Sequence, residues 1–210
     1  MPMMPAPSPN PPLSADERRA LLALARQSME IGVTTGKEIS GVTRQLFWER
    51  PAGAFVTLHL RNRLRGCIGQ LPGTEPLWYV VGYCAKAAAL EDPRFEPVRP
   101  DELAEIEIEI SVLSQPLDTL PEMIEAGKHG IIVSRGAQRG VLLPQVATQF
   151  HWDAARFLEE TCMKAGFARE AWKDPGTRIQ TFTAEVFSEA DFREEKGSGE
   201  PSEGSPQTSN

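Results

Sequence analysis

Cysteine is scarce in this chain: three residues in 210, at positions 67, 84 and 162. So odd and widely spaced a set is not the dense, even framework of a small secreted protein, and a reducing cytoplasm is the expected location. Histidine is equally sparse, at 59, 129 and 151. No Cys or His pair has the C-x-x-C or H-x-x-x-H spacing of a zinc site, so neither a metal nor a cofactor is expected. The cysteines also cannot supply a C-x-x-x-C-x-x-C cluster motif, which excludes an iron–sulfur radical enzyme. Positive charge is in deficit, 22 Lys and Arg against 29 Asp and Glu, for a net charge of -7. That balance speaks against a grip on nucleic acid or an anionic membrane. No apolar run approaches the roughly 18 residues of a membrane span, and the opening MPMMPAPSPNPP lacks the basic and apolar regions of a signal peptide. Nucleotide motifs are missing too. GVTTGKE at 32–38 is one residue short between its glycines and carries Glu38 where Ser or Thr would hold magnesium, and RGAQRG does not fit G-x-G-x-x-G. The serines lack a G-x-S-x-G setting.

What remains is the pattern of one folded domain between two polar ends. Residues 1–13 are rich in proline, and 189–210 form an acidic tail of low complexity; neither can bury enough apolar surface to offset its ordering. The domain is expected over 14–188. Ser14 and Glu17 form an S-x-x-E capping box ahead of Leu21, Leu24, Ala25, Ser28 and Met29, which recur at helical spacing, with Gly32 as the expected stop. GAFVTLHL and LRGCIGQL flank RNR as a hairpin, and Pro76 opens a helix with Leu77, Val80, Val81, Cys84 and Ala88 on one face. In EIEIEISVL, Ile106, Ile108, Ile110 and Val112 alternate with Glu105, Glu107, Glu109 and Ser111, the period of a strand with one buried face. A hairpin in GIIVSRGAQRGVLLP, a helix in HWDAARFLEETCMKAG and one strand in TRIQTFTAEVF complete the series. Helices mixed with hairpin-joined strands predict an α+β fold, a mainly antiparallel sheet flanked by helices.

The chemistry centres on RLRGCIGQLPG. Alternation on a strand places Arg65, Cys67 and Gly69 on one face. A neighbouring guanidinium favours a thiolate, while Gly66 and Gly69 clear space for a ligand or another backbone. The competing reading is a small core cysteine with glycines marking a bulge. Asp92 and Arg94 around Pro93 can clamp an anionic group or pair with each other, and His129 between glycines can serve as an exposed base or an ordinary turn residue.

LRGCIG at 64–69 resembles the hallmark of the AMMECR domain family, and the likeness continues through DPRF, EISVLS, GKHGIIV, GVLLPQVA and FLEETCMKAG, over about Ser14 to Ser188. The resemblance implies two unequal lobes with a cleft between them near the hallmark, and both chain ends in the larger lobe. It also implies kinship with AmmeMemoRadiSam system protein A, which occurs beside a Memo-like protein and a radical SAM protein. It supplies no reaction. Two functions are therefore carried forward. In the first, an enzyme or enzyme subunit uses Cys67, Arg65 and His129 as catalytic groups, with Gly66, Gly69, Asp92 and Arg94 binding the ligand. In the second, the cleft is a non-catalytic binding or adaptor module. The first reading requires the sulfur of Cys67 to lie within about 10 Å of at least two of the polar side chains named, since one bound small molecule must bridge them.

Overall fold

The computed structural model describes residues 12–38 and 49–193. Ser14 caps the first helix, α1 (Ala15–Thr35), through the reciprocal box with Glu17. The helix runs through Gly32 and ends instead at Gly36, whose φ of 70° is the left-handed conformation that stops a helix. Gly32 has a packing role: a Cβ there would lie 2.8 Å from the Lys86 side chain, so its absence brings α1 close to the second helix, α2 (Leu77–Leu90).

Strands β1 (Gly53–Leu60) and β2 (Arg63–Gln70) form the expected hairpin. Its turn residues Arg61 and Asn62 have φ of 52° and 62°, the paired left-handed geometry that follows strand twist in a tight hairpin. With β3 (Ile106–Leu113) and β8 (Ala184–Ser188) they make an antiparallel sheet in the order β2-β1-β3-β8. The isoleucines of EIEIEIS face α1 and α2, joining Val56, Leu58, Leu21, Met29, Val81, Cys84 and Phe187 in the main core. The glutamates take the opposite, open face.

The smaller lobe is a second antiparallel sheet, β4-β7-β5-β6, built from β4 (Leu117–Asp118), β5 (Gly130–Arg135), β6 (Gln138–Leu142) and β7 (Arg178–Phe182). Helices α3 (Pro144–Gln149) and α4 (Ala154–Lys164) cover one face around Ile131, Val133, Phe157, Leu158 and Cys162. From the other face Ile132 and Phe182 pack with Leu113 and Phe55 of the first sheet, joining the lobes. The fold is thus α+β with antiparallel sheets, as expected. TRIQTFTAEVF is two strands rather than one. The break at Thr183 carries the chain from the second sheet back to the first, where Thr183 and Ser114 exchange hydrogen bonds. Among the described residues no helix is long and apolar enough to cross a membrane.

The expected domain boundaries need extending. Leu13 is buried, with its N–H on Glu185, and most of 1–13 lies outside the described residues. At the other end, 189–193 belong to the fold and the rest of the tail lies outside the described residues. Glu189 accepts from Arg26 Nε at 3.0 Å and from the Ile108 N–H at 3.0 Å, while Arg26 also donates to the carbonyls of Leu103 and Ile106. Composition marked Glu189 as solvated tail; its partners lie some 80 or more positions away and no local pattern reveals them. With both side chains only about one-fifth exposed, Glu189→Ala leaves a guanidinium short of its partner. It should lower unfolding stability by about 2 kcal/mol in urea denaturation.

Candidate functional site

Cys67 lies at mid-strand on β2, paired in register with Thr57 of β1. Since β2 is an edge strand, the outward peptide groups of Cys67 need partners other than a strand. Asp92 and Arg94, in the loop after α2, supply them. Asp92 Oδ2 accepts the Cys67 N–H at 2.8 Å, and Arg94 Nη2 donates to the Cys67 carbonyl at 3.3 Å. The two side chains are locked together, with Arg94 Nε and Nη2 at 2.9 and 2.7 Å from the carboxylate, which also accepts the Arg94 N–H. Asp92 is buried, yet its carboxyl is held far below the usual range, chiefly by the Arg94 hydrogen bonds, which outweigh desolvation.

Arg65 takes another course. Its guanidinium meets the Glu102 carboxylate in two bonds of 3.0 Å and donates to the carbonyls of Glu96 and Pro97. A register shift between Leu58 and His59 makes room for Arg65 as an extra residue opposite β1. Arg65 and Glu102 are 15% and 12% exposed, so this is a structural clamp rather than a cation resting on the thiol.

The space at the glycines is filled by the protein. A Cβ at Gly66 would collide with the Ala88 carbonyl oxygen on α2, and one at Gly69 would enter the Phe55 ring. Gly66 thus sets the distance between helix and sheet, and Gly69 lets the aromatic ring lie over its neighbour strand. Of the two uses that the spacing allowed, a ligand or another backbone, Gly66 serves the second, and at Gly69 the space is taken by a ring. Ile68 packs against the main core.

The Cys67 side chain is left on the open face, half-buried, with the Thr57 hydroxyl donating to Sγ at 3.4 Å. Register extends this row to Glu109 of β3 and Ser188 of β8. Among the described residues Glu109 has no basic partner. Ser111, one row along, is 2% exposed. Cys84 and Cys162 are fully buried, and burial pushes the Cys84 thiol up to about 12.

Asp92 and Arg94 hold the Cys67 peptide itself, and the span of one residue keeps Sγ within 10 Å of both, roughly the reach of a few bonds. His129 does not join them. It belongs to the second lobe, where Nδ1 accepts the Glu125 N–H at 3.1 Å. The adjoining Gly127–Lys128 turn lines a groove with Thr183, Ala184 and Val186, on the edge of the first sheet opposite β2. Thr57, Glu102, Glu109 and Ser111 were not among the expected site residues. The EIEIEIS alternation put Glu109 and Ser111 on an open face, but only strand order makes it the face of Cys67. Among the described residues no three His, Cys, Asp or Glu side chains converge as metal ligands.

These are the features of a two-lobed α+β protein with one half-buried thiol on a clamped edge strand. The AMMECR1 family profile matches residues 22–187, and the chain belongs to the AMMECR1 family. A protein of Methanothermobacter thermautotrophicus is 43% identical over 187 residues, covering 85% of this chain and 97% of that one. A protein of Aquifex aeolicus is 42% identical over 150 residues, covering 68% and 77%. The crystal structure of uncharacterized protein PH0010 from Pyrococcus horikoshii aligns with a TM-score of 0.74 at 39% identity, covering 80% of this chain and 89% of that one.

Two outcomes follow for the clamp. Gly66→Ala should cost about 3 kcal/mol or more, because the backbone carbonyl of Ala88 cannot move aside as a side chain can, and thermal denaturation will measure it. Asp92, with its folded pKa below the unfolded value of about 3.9, contributes stability that is full above pH 4 and is lost as pH falls toward the folded value. Asp92→Asn should therefore be less stable than wild type at pH 7, with the gap closing below pH 4 in urea titrations.

Proposed function

We propose that this chain is an enzyme subunit in which the thiol of Cys67 meets a substrate bound on the open face of the first sheet. One observation carries the reading. The Arg65 side chain and the space over Gly66 and Gly69 are engaged within the protein, while the Cys67 side chain faces the uncovered side with a hydroxyl on its sulfur. Arg65, Asp92 and Arg94 act here as positioning residues. They hold the strand rigid so that Sγ keeps a fixed direction, a requirement for any transfer chemistry. Thr57 orients the sulfur, and Glu109 offers a hydrogen-bond acceptor across the row. The substrate is a small molecule or a protein segment, and the subunit works beside the Memo-like and radical SAM proteins that the family resemblance implies.

The binding-module reading keeps one observation in its favour: Arg65 is spent on Glu102 and not on the thiol, and His129 lies in the other lobe. Alkylation separates the two. With iodoacetamide at neutral pH, the native protein should be modified at Cys67 alone, faster than the same cysteine in urea, while Cys84 and Cys162 react only after unfolding. Labelling of native Cys67 no faster than in urea would favour the binding module. A Cys67 that resists the reagent until the protein unfolds would likewise end the thiol reading.

A further inference from the structure

The face of the second sheet that meets the first lobe is only partly covered. Its inner part, Ile132, Phe182 and Val141, is apolar and packs on the first sheet. Its outer part continues as a row across three strands, because Ser134 of β5 pairs in register with Arg139 of β6 on one side and Arg178 of β7 on the other. Gln180 follows one step along β7 on the same face, opposite Ile132. These four side chains line a groove of about 450 Å³, closed on the far side by Leu71, Pro72 and Pro116.

Most of the hydrogen-bonding capacity in this groove is unspent. Among the described residues the Arg139 guanidinium has no carboxylate, and neither the Ser134 hydroxyl nor the half-buried Gln180 amide has a partner. Arg178 is steadied by two bonds to Asp118, at 2.7 and 3.1 Å, and Asp118 does not line the groove. Four donors therefore converge with no acceptor carboxylate among the lining residues, in a protein whose net charge is negative. Adjacent strands lie about 4.8 Å apart, so the two arginines stand roughly 10 Å apart with a serine hydroxyl at the midpoint. A phosphate group fits between them, taking a fork of N–H donors from Arg139 and, from Arg178, the Nη1 side that its pair with Asp118 does not use; a carboxylate, planar and with two oxygens, is served by one fork alone.

We infer that this groove is a binding site for a phosphate ester: Arg139, Ser134 and Arg178 hold the phosphate, Gln180 holds an adjoining oxygen, and the organic part rests on Leu71, Pro72 and Pro116. The site is separate from the thiol. Leu71 follows Cys67 by four residues, about 13 Å along an extended strand, and neither Cys67 nor Thr57 nor Glu109 lines the groove.

Phosphorus NMR titration tests this with two probes, inorganic phosphate and phenyl phosphate, at constant ionic strength set by chloride. Both signals should broaden saturably, and phenyl phosphate should bind several-fold more tightly because its ring covers the leucine and proline wall. Arg139→Ala removes an exposed side chain without a protein partner, so it should leave the melting temperature unchanged while weakening both probes about tenfold. Ser134→Ala should weaken them less, in the same direction. Absence of saturation at millimolar probe, or equal binding by wild type and Arg139→Ala, overturns the site. Cys67→Ser should bind both probes as wild type does, so the thiol reading can fail with this site intact.

Discussion

The outer edge of β2 at Cys67 presents a peptide N–H and a carbonyl that no strand pairs, and the Asp92–Arg94 couple satisfies both. Much of the larger lobe follows from that arrangement. An ionised carboxylate this well buried is tolerable only because a guanidinium and two peptide N–H groups surround it. The same contacts fix the exit of α2. The loop that follows is then held by Arg65 through the carbonyls of Glu96 and Pro97 and the carboxylate of Glu102. Glu102 in turn leads into β3, so the edge strand, the helix above it and the central strand are tied through charged groups at one margin of the sheet.

The LRGCIG segment divides its labour by face. Gly66 and Ile68 turn toward α2 and the core, and Gly69 lies under Phe55 on the other side. Arg65 leaves the strand at a bulge to reach Glu102. The close packing that makes the glycines necessary also makes the strand stiff, since neither helix nor ring can approach so near a residue with a side chain. A thiol on such a strand has little freedom of direction, which suits a group that must meet a ligand repeatedly in one geometry.

The joining of the lobes produces the grooves. The second sheet covers only one end of the open face of the first, through Phe55, Leu113, Ile132 and Phe182. One groove lies beside β8, with α3 and the Gly127–Lys128 turn as its far wall, and another lies at the Leu71 end of β2. Both are consequences of two sheets meeting over a small apolar contact, with the polar remainder of each inner face left accessible. The chain break at Thr183 sets this contact, because it moves the backbone between sheets within a single residue.

Local order was legible in the sequence wherever a period or a cap carries it. The capping box at Ser14, the alternation of EIEIEIS and the hairpin about Arg61–Asn62 depend on residues a few positions apart, so their physics is contained in short windows. The same windows failed where a distant neighbour decides. Gly32 looked like a helix stop, yet its lack of a side chain serves Lys86, and only the backbone angle at Gly36 ends the helix. TRIQTFTAEVF looked like one strand because residue preferences do not register which sheet each half joins. The cysteine was found from its setting, but its companions were not. The pairing of Arg65 with Glu102, the ring over Gly69, the row from Cys67 through Thr57 to Glu109, and the flanking of Ser134 by two arginines all require strand order and register. Periodicity says which residues share a face of one strand; which face of which strand lies beside it is decided by packing over the whole chain.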